Sequence, residues 1–158
     1  MHVQLKLTLA CSPDAAVDAL RNPQVMVAVT KPMLVYRSEE QGGFPRRWDT
    51  AEHPVSARIL GVFSLGRTHV HLRFYEALGA RVQEDTGRGI DGSFRLMRIR
   101  HRMAVSPAPG GLTLLRDRME FHAGVLTPLL WPGLWLVWQW RAARMRMLAP
   151  TWTTPVPR

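Results

Sequence analysis

The sequence predicts an α+β fold, in which one curved antiparallel sheet of about six or seven strands wraps around a long C-terminal helix and two short helices follow the first strand. Alternation of apolar and polar residues, the period of a half-buried strand, recurs in most segments before position 123. The turns between these segments are short, which indicates antiparallel neighbours rather than parallel strands joined by crossover helices. Only the last apolar segment is long enough to form a helix that covers the sheet.

The N-terminal part is predicted to be one strand and two short helices. Residues 2–10 alternate leucine or valine with polar side chains. Ser12 is expected to cap the first helix and Pro13 to begin it, because a serine side chain accepts hydrogen bonds from the free N–H groups of a helix start. Asn22-Pro23 ends that helix, and residues 24–30 are predicted to form the second helix.

The following part of the chain reads as strands. The predicted segments are 33–38, 55–64, 67–77, 81–86, 94–106 and 112–122. We expect the second and third of them to form a hairpin that turns at Leu65-Gly66, and the last two to be joined by the turn sequence PAPGG.

The last helix is predicted over residues 128–149, with Thr127 as its N-cap. Pro132 is expected to kink this helix or to move its start to about residue 131, since the proline ring clashes with the preceding turn. A helical wheel gives two apolar stripes, whereas a surface helix needs only one. They are Leu129, Leu136, Trp140, Ala143 and Met147 on one side, and Trp131, Trp135, Trp138, Ala142 and Met145 on the other. The pattern leaves open which stripe faces the sheet; the other could face a cavity, a partner, a membrane surface or further core.

Length and composition indicate one globular domain, predicted over residues 1–150, with a proline-containing tail at 151–158. The 158 residues are 46% hydrophobic and 21% charged, which is typical of a globular chain with a substantial core. The single cysteine, Cys11, excludes an internal disulfide framework and a multi-cysteine zinc site. Neither a signal peptide nor a membrane-spanning segment is recognised, so a cytoplasmic location is expected.

The charge pattern argues against nucleic-acid binding. The formal net charge is +9, which permits attraction to anionic partners. However, nearly all of the cations are arginines scattered singly along the chain, with no basic block and no recognised nucleic-acid-binding motif. We therefore do not expect a nucleic-acid partner.

The last strand pair carries a family resemblance. Its residues are Gly92, Phe94, Met97, Ile99, His101 and Met103, followed by Thr113, Asp117, Met119, Phe121 and Gly124. With the element order, they resemble the START/SRPBCC helix-grip superfamily, in particular the polyketide cyclase/dehydrase and lipid transport group of bacteria, which shares the fold of the birch-pollen allergen. The resemblance implies a cavity between the sheet and the C-terminal helix that holds an apolar or amphipathic ligand.

The alternation of the two long strands agrees with such a cavity. One face of each strand is rich in methionine and aromatic side chains, which adapt to ligands of irregular shape, while the other face carries arginine. The predicted ligand-binding residues are Met97, Ile99, His101, Met103, Asp117, Met119, Phe121, Leu136 and Trp140.

His101 and Asp117 are the two ionisable residues predicted on that inner face. As neighbours they could form an acid–base pair, in which the carboxylate holds one histidine tautomer and raises its basicity. The alternative, which we favour, is a buried pair that ties two strands together.

Trp131, Trp135 and Trp138 are the candidate interface residues. If they point outward, a tryptophan strip followed by Arg141, Arg144 and Arg146 resembles a helix that lies on a membrane surface, and it would also suit a homodimer. If they point inward, they line the roof of the cavity.

Three functions remain open at this point. The first is a non-enzymatic domain that binds or carries a small hydrophobic or amphipathic ligand, such as a lipid, a polyketide-like compound or an aromatic compound. The second is a cyclase/dehydrase-type enzyme that uses His101 and Asp117. The third is a module that contacts a membrane or a protein through the tryptophan strip. No cofactor and no metal site are predicted.

Overall fold

The computed structural model describes residues 1–153 and has the α+β helix-grip fold that the sequence predicts. Seven antiparallel strands form one sheet, curled into a half-barrel, in the order β1-β7-β6-β5-β4-β3-β2. The strands are β1 His2–Leu9, β2 Leu34–Ser38, β3 Glu52–Ile59, β4 Phe63–Ala77, β5 Ala80–Asp85, β6 Arg98–Ala108 and β7 Leu112–His122.

Two short helices follow β1, as predicted. They are α1 (Pro13–Leu20) and α2 (Pro23–Thr30), and each has a proline in its first turn. The Ser12 hydroxyl accepts a hydrogen bond from the Ala15 N–H at 3.2 Å, and the Asn22 side chain accepts one from the Gln24 N–H at 2.9 Å. Side-chain caps therefore begin both helices, which is how eight-residue helices of modest propensity are held in place.

The C-terminal helix α3 spans Thr127–Leu148 and passes Pro132 without a break. The predicted cap is wrong, because Leu126 is the N-cap residue and no side chain among the described residues caps the helix. The Thr127 hydroxyl instead accepts from the Ala123 N–H at 2.8 Å and donates to the Gly124 carbonyl oxygen at 2.7 Å. It closes the turn between β7 and α3, and the helix begins at that turn rather than at residue 131.

Three hydrophobic clusters fill the concave side of the sheet. The first joins α1 and the C-terminal half of α3 to β1, β6 and β7, through residues such as Leu7, Leu115 and Met145. The second joins the first half of α3 to β1 and β7, around Met119 and Phe121. The third lies on β3 and β4 around Trp48, Val55, Val70 and Leu72. The long helix is thus fixed against β1 and β7, at one end of the strand order.

The β3–β4 hairpin turns at residues 60–62, not at Leu65-Gly66 as predicted. Gly66 lies inside β4, where a Cβ atom would stand 2.4 Å from the Asp91 carbonyl oxygen. Glycine is required there by this close approach of two backbones, and no turn is formed.

The predicted tail lies mostly outside the described residues. Thr151 belongs to a short 3₁₀ turn, Ala149–Thr151, and the half-buried Trp152 packs against the first cluster. Residues 154–158 lie outside the part of the chain that the structure describes.

Candidate functional site

The predicted inner-face residues of β6 and β7 do share one face of the sheet. The register pairs Ile99 with Phe121, His101 with Met119 and Met103 with Asp117, and residues opposite each other on antiparallel strands point to the same side. Met103, Asp117, Met119 and Phe121 are all buried. Whether they contact a ligand stays a prediction.

Asp117 is the centre of a buried polar network. Its Oδ1 accepts hydrogen bonds from His101 Nε2 at 2.7 Å and from Trp138 Nε1 at 3.2 Å. Its Oδ2 accepts from the Arg141 guanidinium, whose other terminal nitrogen lies 3.0 Å from Met103 Sδ. The His101 and Trp138 rings also pack edge to face, with their centroids 5.2 Å apart. One carboxylate therefore links β6, β7 and α3; below we call Asp117, His101, Trp138 and Arg141 the Asp117 network.

The electrostatics of the network keep Asp117 ionised. Burial by itself would raise the pKa of this carboxyl, and it is the largest single influence on it. The Arg141 charge, the His101 ring and the hydrogen bonds from His101 and Trp138 together outweigh burial and hold the pKa well below its usual range. An ionised carboxylate only accepts hydrogen bonds, so Nε2 of His101 carries a proton and, in the neutral ring, Nδ1 is the free acceptor.

Sequence reasoning missed Arg141 and gave Trp138 another role. Arg141 was expected beside the tryptophan strip on an outer surface, and Trp138 was expected either at an interface or in the roof of a cavity. The two residues are three positions apart, which places them on the same side of a helix. Asp117 could have indicated them, because a buried carboxylate requires a cation and N–H donors near by.

Another ionisable residue lies beside His101, on the neighbouring strand β5. Asp85 of β5 is the cross-strand partner of His101. Its Oδ1 accepts from the backbone N–H groups of Gly87 at 2.9 Å and of His71 at 3.0 Å. Burial raises the pKa of Asp85, and burial with the Asp85 charge near by raises the pKa of Tyr36 to about 12. Asp85 escaped prediction because it stands at the end of a short strand, beside a glycine loop.

Leu136 and Trp140 do not face the sheet. Leu136 is 51% exposed and Trp140 37% exposed, together with Leu129 and Met147 of the same stripe. Trp140 Nε1 donates to the Lys31 carbonyl oxygen at 2.7 Å, so its ring lies across the end of α2. The expectation that these two residues line a cavity under α3 is wrong, because the other stripe carries Trp138, Ala142 and Met145 and packs on the strands.

The predicted tryptophan strip is divided between three environments. Trp138 is 8% exposed, Trp135 is 44% exposed, and the half-buried Trp131 donates from Nε1 to the His2 carbonyl oxygen at 3.3 Å. Trp138 cannot contact a membrane or a partner while it donates to Asp117 in the core. The strip is therefore not a continuous outer surface, and this part of the prediction is wrong.

A half-enclosed cavity of about 210 Å³ lies beneath α1 rather than beneath α3. Inward-facing residues of β4, β5 and β6 form its floor, and Val17 and Leu20 of α1 form its roof. The other lining residues are Arg21, Phe74, Tyr75, Glu76, Arg81, Val82, Gln83, Met103 and Val105. Met103 alone belongs both to this wall and to the predicted ligand-binding set. The cavity and the Asp117 network thus meet at Met103, because Arg141 contacts its sulfur.

Residues 1–153 contain neither a metal-binding cluster nor a membrane-spanning helix. No three His, Cys, Asp or Glu side chains in this part of the chain are close enough together to hold a metal ion. None of the helices described here has the combination of length and apolar composition that crossing a lipid bilayer requires.

Solved structures with similar folds cover nearly the whole chain. Protein CV1439 from Chromobacterium violaceum has a TM-score of 0.64 at 13% identity, over 94% of this chain and 97% of that one. Truncated norcoclaurine synthase from Thalictrum flavum has a TM-score of 0.60 at 12% identity, over 94% and 92%. Protein Ms6760 from Mycobacterium smegmatis has a TM-score of 0.65 at 9% identity, over 99% and 93%.

These neighbours have an SRPBCC-like fold, the fold of the birch-pollen allergen, which agrees with the resemblance seen in the sequence. Identities this low show the fold and nothing more, because one fold hosts many activities. No protein-family model matches the chain, and no curated protein matches it.

Proposed function

We propose that the protein binds a small amphipathic ligand in the cavity beneath α1, without catalysing a reaction. The observation that carries this proposal is the cavity itself, a half-enclosed space on the concave side of the sheet with a mostly apolar wall. Concave, largely apolar sites with a few polar groups are the usual form of small-molecule sites. The fold of the neighbours, a scaffold of the ligand-binding type, supports the same function.

The size of the cavity limits the ligand. A volume of about 210 Å³ is below the range of roughly 300–1,000 Å³ that is common for sites of drug-sized molecules. A medium-length acyl chain or a single substituted ring fits this limit better than a long-chain lipid or a multi-ring polyketide.

The Asp117 network supports a structural role for His101 and Asp117, the pair that the sequence analysis proposed as an acid–base pair. Both carboxylate oxygens of Asp117 accept hydrogen bonds from protein groups, and Arg141 balances its charge. A carboxylate shared with an arginine raises the basicity of a histidine less than one that faces the histidine alone. This arrangement favours the function of joining α3 to the sheet over that of an acid–base pair.

Native mass spectrometry of the purified protein tests the proposal. We expect a bound small molecule in the wild-type protein and in Val62→Trp, which changes an exposed valine at the β3–β4 turn. Val17→Trp places a large ring in the roof of the cavity and is expected to remove the bound mass. A bound mass that survives in folded Val17→Trp would contradict the location. The function itself would fail if no mass were found and no amphiphile from a medium-chain panel raised the melting temperature.

A second candidate, an acid–base enzyme, is favoured by one observation. The His101 side chain keeps 14% of its surface exposed and lies between two carboxylates, Asp117 on β7 and Asp85 on β5. A cyclisation or dehydration screen would test it. Turnover by the wild-type protein that is lost in His101→Ala would support the enzyme, while absence of turnover across the screen would leave the binding function as the account of the site.

The cytoplasmic location and the absence of a nucleic-acid partner stay predictions. A homodimer or a peripheral membrane contact would use the exposed stripe of α3, which contains Leu129, Leu136 and Met147, rather than the three tryptophans.

A further inference from the structure

We infer that the cavity beneath α1 selects ligands with an anionic group, most simply a carboxylate, and that Arg21 binds this group. The inference rests on the proposed binding function and adds the chemical class of the ligand. Its apolar part would lie against Leu20, Met103 and Val105, which belong both to the cavity wall and to the main core.

Arg21 is held in place for such a contact. It follows α1 directly, and its backbone is fixed because its N–H bonds to the helix and its carbonyl oxygen accepts from the Trp48 N–H at 2.7 Å. Its guanidinium carbon lies 4.0 Å from the centroid of the Phe74 ring, inside the cavity wall. A guanidinium stacked on a ring keeps its plane and presents its N–H groups as a fixed fork, which matches the two oxygens of a carboxylate.

Arg21 lacks the partners that its neighbours have. Arg47 pairs with Asp18 at 2.7 Å, and Arg81 pairs with Asp14 at 2.6 Å. Within residues 1–153, Arg21 has no ion pair with a carboxylate, and its Nε is buried without a hydrogen-bond partner. An arginine without a counter-ion in the protein leaves its charge available to an anionic ligand.

The charges around the cavity favour an anion at this position. Burial lowers the pKa of Arg21, and the charges of Arg47 and Arg81 lower it further, while the charge of Asp18 acts in the opposite direction. Glu76 is the carboxylate of the cavity wall; it lies opposite Arg81 in the strand register, but Arg81 pairs with Asp14, and Glu76 forms no ion pair within residues 1–153. Two arginines of the wall, Arg21 and Arg81, therefore outnumber its one carboxylate, and Arg21 is the one of the two without a carboxylate partner within residues 1–153.

A titration with two probes of equal chain length tests the inference. The probes are octanoate, which has an anionic head, and octanol, which has a neutral one; binding is measured by isothermal titration calorimetry at neutral pH and low salt. For the wild-type protein we expect octanoate to bind about tenfold more tightly than octanol, the difference that about 1.4 kcal/mol provides.

Two substitutions and one control complete the test. Arg21→Met should remove the preference by weakening octanoate about tenfold and leaving octanol unchanged. Arg21→Lys keeps a charge without the fork and should retain part of the preference. Arg37→Met removes an exposed arginine of β2 that is not part of the cavity wall, and it should change neither affinity. Circular dichroism checks that each variant is folded.

The outcomes separate this inference from the function on which it rests. Equal binding of both probes by the wild-type protein would overturn the anion selectivity and leave ligand binding intact. An equal loss of both probes in folded Arg21→Met would also overturn it, because the arginine would then act only on the shape of the cavity. If neither probe binds the wild-type protein at millimolar concentration, both proposals are overturned.

Discussion

The Asp117 network and the cavity beneath α1 lie on the same concave face, but the charged groups of the network are paired with one another, whereas Arg21 at the cavity is not. In the network, one carboxylate meets an arginine, a histidine and a tryptophan, and the groups satisfy one another. At the cavity, Arg21 stacks on Phe74 and keeps a buried N–H that has no partner within residues 1–153. Met103 stands between the two sites.

The difference separates ionisable residues that hold the fold together from those that are available to a ligand. A closed network contributes to stability only as a unit, and removing one member leaves another charge buried and unpaired. An open arginine contributes little to the fold and can bind an external oxygen. Substitutions in the network should therefore change unfolding, and substitutions at the cavity should change binding.

Asp117→Asn should have the largest effect on stability. It leaves Arg141 buried without its counter-charge, so we expect the free energy of unfolding to fall by about 3–5 kcal/mol. The matched control on the same strand is Glu120→Gln, which breaks an exposed pair with Arg118 and should cost less than about 1 kcal/mol. Urea unfolding followed by circular dichroism measures both. Equal effects of the two substitutions would mean that the network does not hold α3 to the sheet.

Low pH should remove the contribution of ionised Asp117 to the stability of the wild-type protein. The folded-state pKa of Asp117 is depressed, so its stabilising effect is present above the unfolded-state pKa of about 3.9 and is lost as pH falls below it. The gap in unfolding free energy between wild type and Asp117→Asn should therefore narrow from about pH 5 downward. Unfolding curves at a series of pH values measure it, and a constant gap would contradict an ionised Asp117.

Trp138→Phe should have an intermediate effect. It keeps an aromatic ring near His101 but removes the N–H donor to the ionised carboxylate, a hydrogen bond of a kind that contributes about 1.5–3 kcal/mol. Trp135→Phe, three positions away and 44% exposed, is the control and should change stability by less than about 0.5 kcal/mol. If thermal and urea unfolding give the reverse order, the orientation of α3 described above is wrong.

His101→Ala should have the smallest effect on binding, although it lies in the network. Asp117 keeps Arg141 and Trp138 as partners, and the cavity wall does not contain His101. We expect the octanoate dissociation constant to stay within about tenfold, or 1.4 kcal/mol, of the wild-type value. Calorimetry measures it; a hundredfold loss would place the ligand at His101 and would favour the enzyme.

The fold could be predicted from the sequence because its determinants are local. Alternation gives the strands, short turns make them antiparallel, and Ser12 with Pro13 marks a helix start whose cap the structure contains. The position of the β3–β4 turn could not be predicted in the same way. Leu60-Gly61 and Leu65-Gly66 look alike in sequence, and only the close approach of Asp91 explains why Gly66 belongs to a strand.

The site was predicted only in part, since its geometry depends on contacts between distant segments. Period-two alternation was enough to place His101 and Asp117 on one face. It could not decide which stripe of α3 meets that face, because both stripes are apolar. The cavity depends on the gap between α1 and β4–β6, and no periodicity in the sequence reports such a gap.

NMR of methyl groups and tryptophan ring N–H groups during a titration with octanoate tests the central claim most directly, because it shows where the ligand binds without any substitution. The account predicts that the largest shifts belong to the methyl groups of Val17, Leu20 and Val105, which line the cavity. Resonances of Met119 and of the Trp138 ring, on the side of the Asp117 network away from the cavity, should move little. Saturable shifts that are largest at Met119 and Trp138, with Val17 unaffected, would contradict it.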